Sequence, residues 1–147
     1  TQAMTQARRN VGRMALLFVD LDGFKAINDN HGHHTGDWLL SRVAERMIGC
    51  VRAADTIGRV GGDEFVVLLA FVEEVQDAVL VAEKIRAALK KSFEGEGLTL
   101  HISASVGVAI YPDHGNNDTT LSRSADQAMY QAKARGGDCV VVAPDEV

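Results

Sequence analysis

The architecture of this chain can be worked out from one stretch, Arg59-Val-Gly-Gly-Asp-Glu-Phe-Val-Val-Leu-Leu69. An apolar run follows the paired glycines and a shorter one precedes them, which is the pattern of a β-hairpin. Glycines at a two-residue turn supply positive φ angles and let backbone N–H groups approach a phosphate. The sequence therefore predicts strands over residues 56–60 and 64–70, joined by a turn beside Asp63.

The remaining segments predict one sheet with helices packed on it. An apolar run over residues 14–20 suits a strand buried on both faces. Apolar residues recur at helical spacing in residues 35–49, with Thr35 as N-cap and Gly49 as the stop, in residues 73–91, and from Asp118 to about residue 136. Alternation over residues 98–110 predicts a strand with one polar face, and residues 138–142 predict a last strand. A central hairpin without strict β-α-β alternation indicates an α+β fold, with a central, mostly antiparallel sheet flanked by helices.

Composition and charge narrow the class of protein. The chain has 147 residues, and 15 basic against 20 acidic side chains give a net charge of −5. One domain of this length can bury its own core, and the acidic balance argues against a DNA or RNA partner. No signal peptide opens the chain, and no apolar run approaches the length of about 20 residues that a membrane helix needs. We expect a cytoplasmic domain, and a longer protein containing it could be membrane-anchored.

Acidic residues follow the first predicted strand and the glycine turn. Asp20 and Asp22 lie where the buried strand ends, and Asp63 and Glu64 lie at the hairpin tip. If the two strands are neighbours, the carboxylates meet at one edge of the sheet. Oxygen ligands of this kind suit Mg²⁺, and two such ions about 4 Å apart could assist phosphoryl transfer. The alternative is that these acids are merely solvated strand ends.

Five motifs in order carry a family resemblance. Besides the stretch quoted above, they are Leu17-Phe-Val-Asp-Leu-Asp-Gly-Phe-Lys-Ala-Ile-Asn-Asp29, Gly32-His-His-Thr-Gly-Asp-Trp-Leu-Leu40, Ser103-Ala-Ser-Val-Gly-Val-Ala109 and Ala125-Asp-Gln-Ala-Met-Tyr-Gln-Ala-Lys133. Together they resemble the GGDEF family of diguanylate cyclases. The resemblance implies a fold like that of class III nucleotidyl cyclases and the polymerase palm. It also implies condensation of two GTP molecules into cyclic di-GMP with release of two pyrophosphates.

The resemblance assigns roles to individual residues. Two Mg²⁺ ions, for which Mn²⁺ can substitute, would be held by Asp20, the Leu21 carbonyl, Asp63 and Glu64. The catalytic residues would be Asp63, as the base for the attacking 3′-hydroxyl, with Glu64 and Lys25. The triphosphate would meet the glycine turn, the turn after the first strand and one distant lysine, that is Gly61, Gly62, Asp22, Gly23, Phe24, Lys25 and Lys133.

Asn28 and Asp37 match the positions at which the family reads the guanine base. A carboxylate accepts hydrogen bonds from guanine N1–H and the exocyclic amine, and adenine has no N1 hydrogen to offer. A site built in this way rejects the wrong base steeply, often by ~10⁴-fold. For Asp37 alone, the alternative is an acid favoured by the dipole at a helix N-terminus.

Arg52 and Asp55 match the family's RxxD site, where bound cyclic di-GMP inhibits the enzyme. A planar guanidinium suits a guanine edge or a phosphate; the alternative is an ordinary surface ion pair. At Gly137 the sequence departs from the family, which usually has an arginine that helps to hold the triphosphate.

The family's opening segment is also absent. We therefore expect residues 1–13 to be a helix tail or linker, residues 14–143 to form the GGDEF domain, and residues 144–147 to be a C-terminal tail.

Because one domain holds one GTP and the product is a two-fold ring, we expect a homodimer in the active state. Sensory or effector domains in a longer protein are the other expected partners. Two functions compete with catalysis: a GTP or cyclic di-GMP sensor, and a structural dimerisation module. The retained acidic residues favour catalysis over both. His31, His33 and His34 fall in a predicted loop without a cysteine, so we expect no zinc site there.

Overall fold

The structure, a computed structural model, describes residues 12–145. Its elements are, in chain order, β1 (Arg13–Asp22), α1 (Phe24–His31), α2 (His33–Ile48), β2 (Thr56–Arg59), β3 (Glu64–Val72), α3 (Val75–Lys90), β4 (Phe93–Gly95), β5 (Leu98–Leu100), β6 (Ser103–Tyr111), α4 (Asp118–Ala134) and β7 (Cys139–Val142). Arg13, which the sequence analysis placed in the preceding segment, begins β1 and pairs with Val72. Residues 1–11 of the helix tail or linker predicted over residues 1–13 lie outside the described residues, as do residues 146–147 of the predicted C-terminal tail.

Five strands form one sheet in the order β2-β3-β1-β6-β7. Every neighbouring pair is antiparallel except β6 and β7. Helix α4 packs on one face, against β6 and β1, and α3 packs on the other. The α+β fold with a mostly antiparallel sheet is therefore confirmed.

The alternation of side chains along β1 decides which residues reach the site. Leu17 and Val19 are buried in the core beneath α3, whereas Met14 and Leu16 are buried beneath α4. With a period of two, Asp20 and Asp22 continue the face that α4 covers. The two carboxylates therefore lie on the face of the sheet that α4 covers, beyond the apolar core and near the C-terminal end of that helix.

The predicted helix over residues 35–49 begins earlier than expected. Gly32 is the N-cap and Thr35 is a buried residue inside α2, so the N-cap assignment was wrong, while Gly49 does follow the helix end. Helix α1 was missed, and the predicted histidine loop is in fact two helix ends that meet at Gly32. Helix α1 has only two buried residues, Phe24 and Ile27. That is too few to produce a visible period.

The strand predicted over residues 98–110 is two strands. Strand β5 pairs with β4 in a separate two-stranded sheet, and β6 begins at Ser103. Strand β6 is buried along almost its whole length, not on one face only. It lies between β1 and β7 and under helices on both sides, so no face remains for solvent.

Two local predictions were also wrong: positive φ angles at the paired glycines, and Asp118 as the N-cap of α4. Neither Gly61 nor Gly62 has a positive φ, because four residues separate β2 from β3 and the two-residue turn geometry is not required. Asn117, not Asp118, is the N-cap of α4, and its side chain accepts a hydrogen bond from the Thr120 N–H. Within residues 12–145, no helix combines the length and the apolar character that crossing a bilayer requires.

Candidate active site

The end of β1 and the tip of the β2–β3 hairpin lie side by side. Asp20 pairs in register with Glu64 of β3. The Leu21 N–H donates to the Asp63 carbonyl at 3.1 Å. The two acidic segments, which are distant in the sequence, thus meet at one edge of the sheet, as predicted. We call Asp20, Asp63 and Glu64 the acidic edge.

Lys133, in the last turn of α4, extends to the acidic edge. Its Nζ lies 3.3 Å from Asp20 Oδ1 and 3.1 Å from Asp22 Oδ1. Burial opposes the charge on this lysine, but the hydrogen bond to Asp22 and the nearby Asp20 raise its pKa above the ordinary value. Lys133 therefore places a positive charge beside the carboxylates of the predicted phosphate site.

The charges of the acidic edge are poorly compensated. The pKa of Asp20 is raised by burial and by the neighbouring Asp63, although Lys133 opposes the shift. The pKa of Glu64 is raised by burial and then by Asp20. Partly buried acids with raised pKa values in contact with each other are typical of functional sites, because a cation can relieve both the burial and the repulsion.

The oxygen atoms of the acidic edge suit Mg²⁺, which needs few protein ligands, better than a metal ion that protein side chains enclose completely. No three His, Cys, Asp or Glu side chains within residues 12–145 converge into a preformed metal cage. Mg²⁺ usually takes one or two protein carboxylates and completes its shell with water and substrate phosphates. Asp20 and Asp63, together with the Leu21 carbonyl, offer oxygen ligands of that kind.

Asp22 has a different role from Asp20. Its carboxylate accepts from Ser103 Oγ and Ser105 Oγ, both at 2.8 Å, from the Asp138 N–H at 2.9 Å and from Lys133 Nζ at 3.1 Å. Although burial alone would raise it, these hydrogen bonds lower the Asp22 pKa. The side chain is thus occupied within the protein, and the phosphate contact at this residue stays a prediction.

The predicted base-reading residues lie on the helix pair that follows β1. Asn28 packs against Gly36, the neighbour of Asp37 in the chain. Its buried amide oxygen has no hydrogen-bond partner within the described residues. Asp37 is exposed and lines a cleft of about 650 Å³ together with Leu40 and Phe65. The exposed Asp37 carboxylate suits a base that presents N–H groups, and the unpartnered Asn28 oxygen lies against the preceding residue, Gly36.

Of the other residues predicted to contact phosphate, Lys25 is exposed and Gly61 is hydrogen-bonded within the hairpin turn. Lys25 is exposed in the first turn of α1, after Gly23, which has a φ of 85°. The Gly61 N–H donates to the Glu64 carbonyl at 3.3 Å. The Gly61 amide is therefore part of the turn, and the phosphate contacts at Gly61 and Gly62 stay a prediction.

Residues 52–55, which we call the arginine turn, are built around Asp55. Its carboxylate accepts from the Arg52 N–H at 2.9 Å and the Ala70 N–H at 3.1 Å, and its side chain is only 1% exposed. The Arg52 side chain is 63% exposed and donates to the Phe71 carbonyl at 2.6 Å. Asp55 ties the turn to β3, so direct ligand contact at this motif would come from Arg52.

Sequence reasoning missed Ser103, Ser105 and Asp138, which surround Asp22. The two serines alternate with apolar residues in the predicted strand, and that pattern places them on one face. Asp138 has a φ of 51°, and its side chain pairs with Arg86 at 2.8 Å and with Lys90. Nothing in the local pattern around Asp138 marks it as part of the site.

The fold and the acidic edge define a class: an α+β domain that gathers carboxylates and a lysine where a polyphosphate and divalent ions could bind. Comparison with known proteins gives the family. The family described as "Diguanylate cyclase, GGDEF domain" matches residues 1–139. The chain belongs to this family.

Two relatives and one solved structure illustrate the similarity. The bifunctional diguanylate cyclase/cyclic di-GMP phosphodiesterase MucR of Pseudomonas aeruginosa is 50% identical over 135 residues, which are 92% of this chain and 20% of MucR. Diguanylate cyclase TpbB of the same organism is 40% identical over 139 residues, 92% of this chain and 32% of TpbB. The crystal structure of the TpbB GGDEF domain superposes with a TM-score of 0.94 at 37% identity, covering 99% of this chain and 91% of that domain. This chain thus spans a fifth to a third of these two full-length relatives.

Proposed function

We propose that this domain is a diguanylate cyclase that joins two GTP molecules into cyclic di-GMP and releases two pyrophosphates. One observation carries the proposal: Asp20 lies beside Asp63 and Glu64, and its burial is not matched by enough positive charge. Membership of the GGDEF family and the names of the relatives support it. The proposed likeness to class III nucleotidyl cyclases and the polymerase palm is supported by an acidic edge next to a β-hairpin.

Asp20, Asp63, Glu64 and the Leu21 carbonyl would hold Mg²⁺, two ions per site, and Mn²⁺ could substitute. When bound, the ions neutralise phosphate charge and make the attacking hydroxyl more acidic. Asp63 takes the proton of the 3′-hydroxyl as its oxygen attacks the α-phosphorus. The bond from that phosphorus to the bridging oxygen breaks, and pyrophosphate leaves with the electron pair.

Positioning and charge neutralisation account for most of the catalysis in phosphoryl transfer. Lys25 and Lys133 supply positive charge to the triphosphate, and backbone N–H groups at Gly23 and Phe24 donate to it. Asp37 accepts from guanine N1–H and the exocyclic amine, and the unpartnered Asn28 oxygen accepts from another N–H of the base. A nucleotide with adenine would leave the Asp37 carboxylate unpaired, so GTP is the proposed substrate.

Two copies of the domain would face each other in the active state, because the product is two-fold and each copy holds one nucleotide. Arg52, exposed on the arginine turn, would recognise bound cyclic di-GMP and mediate product inhibition. In a longer protein, attached sensory or effector domains would control this encounter. The reaction would run in the cytoplasm, and no DNA or RNA takes part.

The experiment is incubation of the purified protein with GTP and Mg²⁺, followed by chromatography for cyclic di-GMP. We expect product from the wild type and a loss of at least about 100-fold in Asp63→Ala, because the base and a metal ligand are both removed. Glu94→Ala, which removes an exposed acid from the separate β4–β5 hairpin, is the matched control and keeps full turnover. GTP binding without product in the wild type would refute the cyclase proposal and favour the sensor function.

A further inference from the structure

Asp22 is the most fully hydrogen-bonded carboxylate near the site. Its four donors come from three separate parts of the chain: β6, the last turn of α4, and the residue before β7. A carboxylate offers about four lone-pair positions, so Asp22 has none left for a metal ion. It is therefore not a further ligand of the acidic edge, although it lies two residues from Asp20 on the same face of β1.

The donors divide between the two oxygens in a way that matters for Lys133. Oδ2 accepts from Ser103 and the Asp138 N–H, whereas Oδ1 accepts from Ser105 and Lys133. The two donors to Oδ2 hold the carboxylate in one orientation. The second oxygen is then presented to the lysine, and the hydrogen bond from Ser105 Oγ fixes its direction.

Lysine alone is a poor positioning device. Its four-carbon stem loses rotamer entropy when it is held in one place, and its ammonium is a mobile point charge. The other partner of Lys133 is Asp20, and a bound divalent ion would coordinate that carboxylate in place of the lysine. Asp22 is the partner of Lys133 that stays in place when that happens.

We propose that Asp22 is a positioning residue that holds the Lys133 ammonium beside the acidic edge for the triphosphate of the nucleotide. The inference rests on the proposed function. Asp22 makes no contact with the substrate through its side chain, and its effect passes through Lys133. Ordering the lysine before the nucleotide arrives lowers the entropy lost on binding.

Gly137 shows how closely the protein encloses this carboxylate. A Cβ atom at Gly137 would lie 2.8 Å from Asp22 Oδ2. The next residue, Asp138, donates its N–H to the same oxygen, and α3 holds the Asp138 side chain through Arg86 and Lys90. At the position where the family usually has an arginine, this chain therefore packs backbone against Asp22.

The test is a double-mutant cycle between Asp22→Asn and Lys133→Met, read by steady-state kinetics and by calorimetric binding of a non-reactive GTP analogue with Mg²⁺. Asp22→Asn removes the charge that holds the lysine. We expect KM and the analogue Kd to rise about tenfold, the effect of losing one charge-assisted contact, with kcat changed less than about threefold. In the Lys133→Met background the same change should add less than about twofold, because the group that Asp22 positions is gone.

The inference is overturned if the fold-change in Kd of the double variant equals the product of the fold-changes of the two single variants. Asp22 would then act independently of Lys133. The inference also fails if Asp22→Asn lowers the melting temperature and leaves Kd and KM unchanged. If Asp22→Asn does not fold, Ser105→Ala takes its place: it loosens Oδ1 without changing charge, and should raise Kd about two- to threefold only while Lys133 is present. Binding is measured separately from turnover. A wild type that binds the analogue but makes no product would refute the cyclase function, while the cycle still decides the role of Asp22.

Discussion

The acidic edge and the arginine turn both contain a partly or wholly buried aspartate, and the two are used in opposite ways. Asp55 in the arginine turn accepts from two backbone N–H groups and is shielded from solvent. Asp20 in the acidic edge is 16% exposed, and burial and Asp63 raise its pKa. A buried acid whose acceptors are filled by the backbone holds a fold together. One that lies beside other acids is available for a ligand.

The two regions differ most in what their aspartates do for turnover. Replacing Asp20 by asparagine removes a proposed metal ligand, so we expect cyclic di-GMP formation to fall by at least about 100-fold. The stability of the folded protein should not fall in the Asp20→Asn variant. A raised pKa means that the stabilisation from protonated Asp20 is present below the unfolded pKa and is lost as pH rises through the folded pKa.

Without divalent ions at neutral pH, Asp20→Asn should therefore melt at the same temperature as the wild type or above it. Thermal melts recorded from acid to neutral pH check this, because burial and Asp63 raise the pKa of Asp20 above its ordinary value. The wild type should gain stability relative to the variant as pH is lowered. A variant that is less stable at neutral pH would show that Asp20, like Asp55, serves the fold.

Asp55 should give the reverse result. Asp55→Ala leaves the N–H groups of Arg52 and Ala70 without their acceptor. Water can replace the acceptor at the exposed Arg52, whereas an unsatisfied group away from water, as at the part-buried Ala70, costs about 1–3 kcal/mol. We expect a loss of about 2 kcal/mol in the free energy of unfolding, measured by urea denaturation. At a temperature where the variant is folded, its kcat should stay within about threefold of the wild type. A stable Asp55→Ala protein would contradict the structural role.

The acidic edge was accessible from the sequence because two local patterns point to it. The apolar run before Asp20 and the hairpin around Asp63 each predict a strand end. That the two strands are neighbours was only a condition of the prediction, and the pairing of β1 with β3 meets it. The network around Asp22 was not accessible. Ser103 is 81 residues away in the chain and Asp138 is 116 residues away. No local period connects such positions, and only the packing of β6 and α4 against β1 brings them together.

The missed helix and the divided strand have related causes. Helix α1 buries only Phe24 and Ile27, so its amphipathic period is too short to recognise. In residues 98–110 the alternation continues across a change of sheet, since Leu100 of β5 and Ala104 of β6 are both buried but in different pairings. The alternation of apolar residues predicts which side chains are buried, but it does not predict which strands pair with each other.

The glycines that follow α4 provide a smaller test of how tightly the Asp22 side of the site is packed. Gly136 and Gly137 have φ values of 105° and 79°, so alanine is strained at either position. Only at Gly137 would the new Cβ meet another group, the Asp22 carboxylate, and at Gly136 nothing lies within 4 Å. Gly136→Ala is therefore the matched control.

We expect Gly137→Ala to be less stable than Gly136→Ala by about 1 kcal/mol or more, measured by urea denaturation, because the carboxylate is held and cannot move aside freely. The KM for GTP should rise in Gly137→Ala alone, since the displaced carboxylate no longer holds Lys133. Equal stability and equal KM in the two variants would show that Asp22 is free to shift.

The smallest effect on stability is expected at Arg52, whose side chain lies mostly in solvent. Its ion pair with Asp55 has an Nε–Oδ2 distance of 3.5 Å, and exposed pairs of this kind contribute about 0–1 kcal/mol. Arg52→Ala should therefore lower the free energy of unfolding by less than about 1 kcal/mol, far less than Asp55→Ala, while Asp55 keeps its two backbone N–H donors. The informative measurement is turnover in the presence of added cyclic di-GMP. If the arginine turn is an inhibitory site, the wild type is inhibited and Arg52→Ala is not, with the same initial rate when product is absent. Inhibition that persists in the variant would leave the arginine turn with only the structural role that Asp55 gives it.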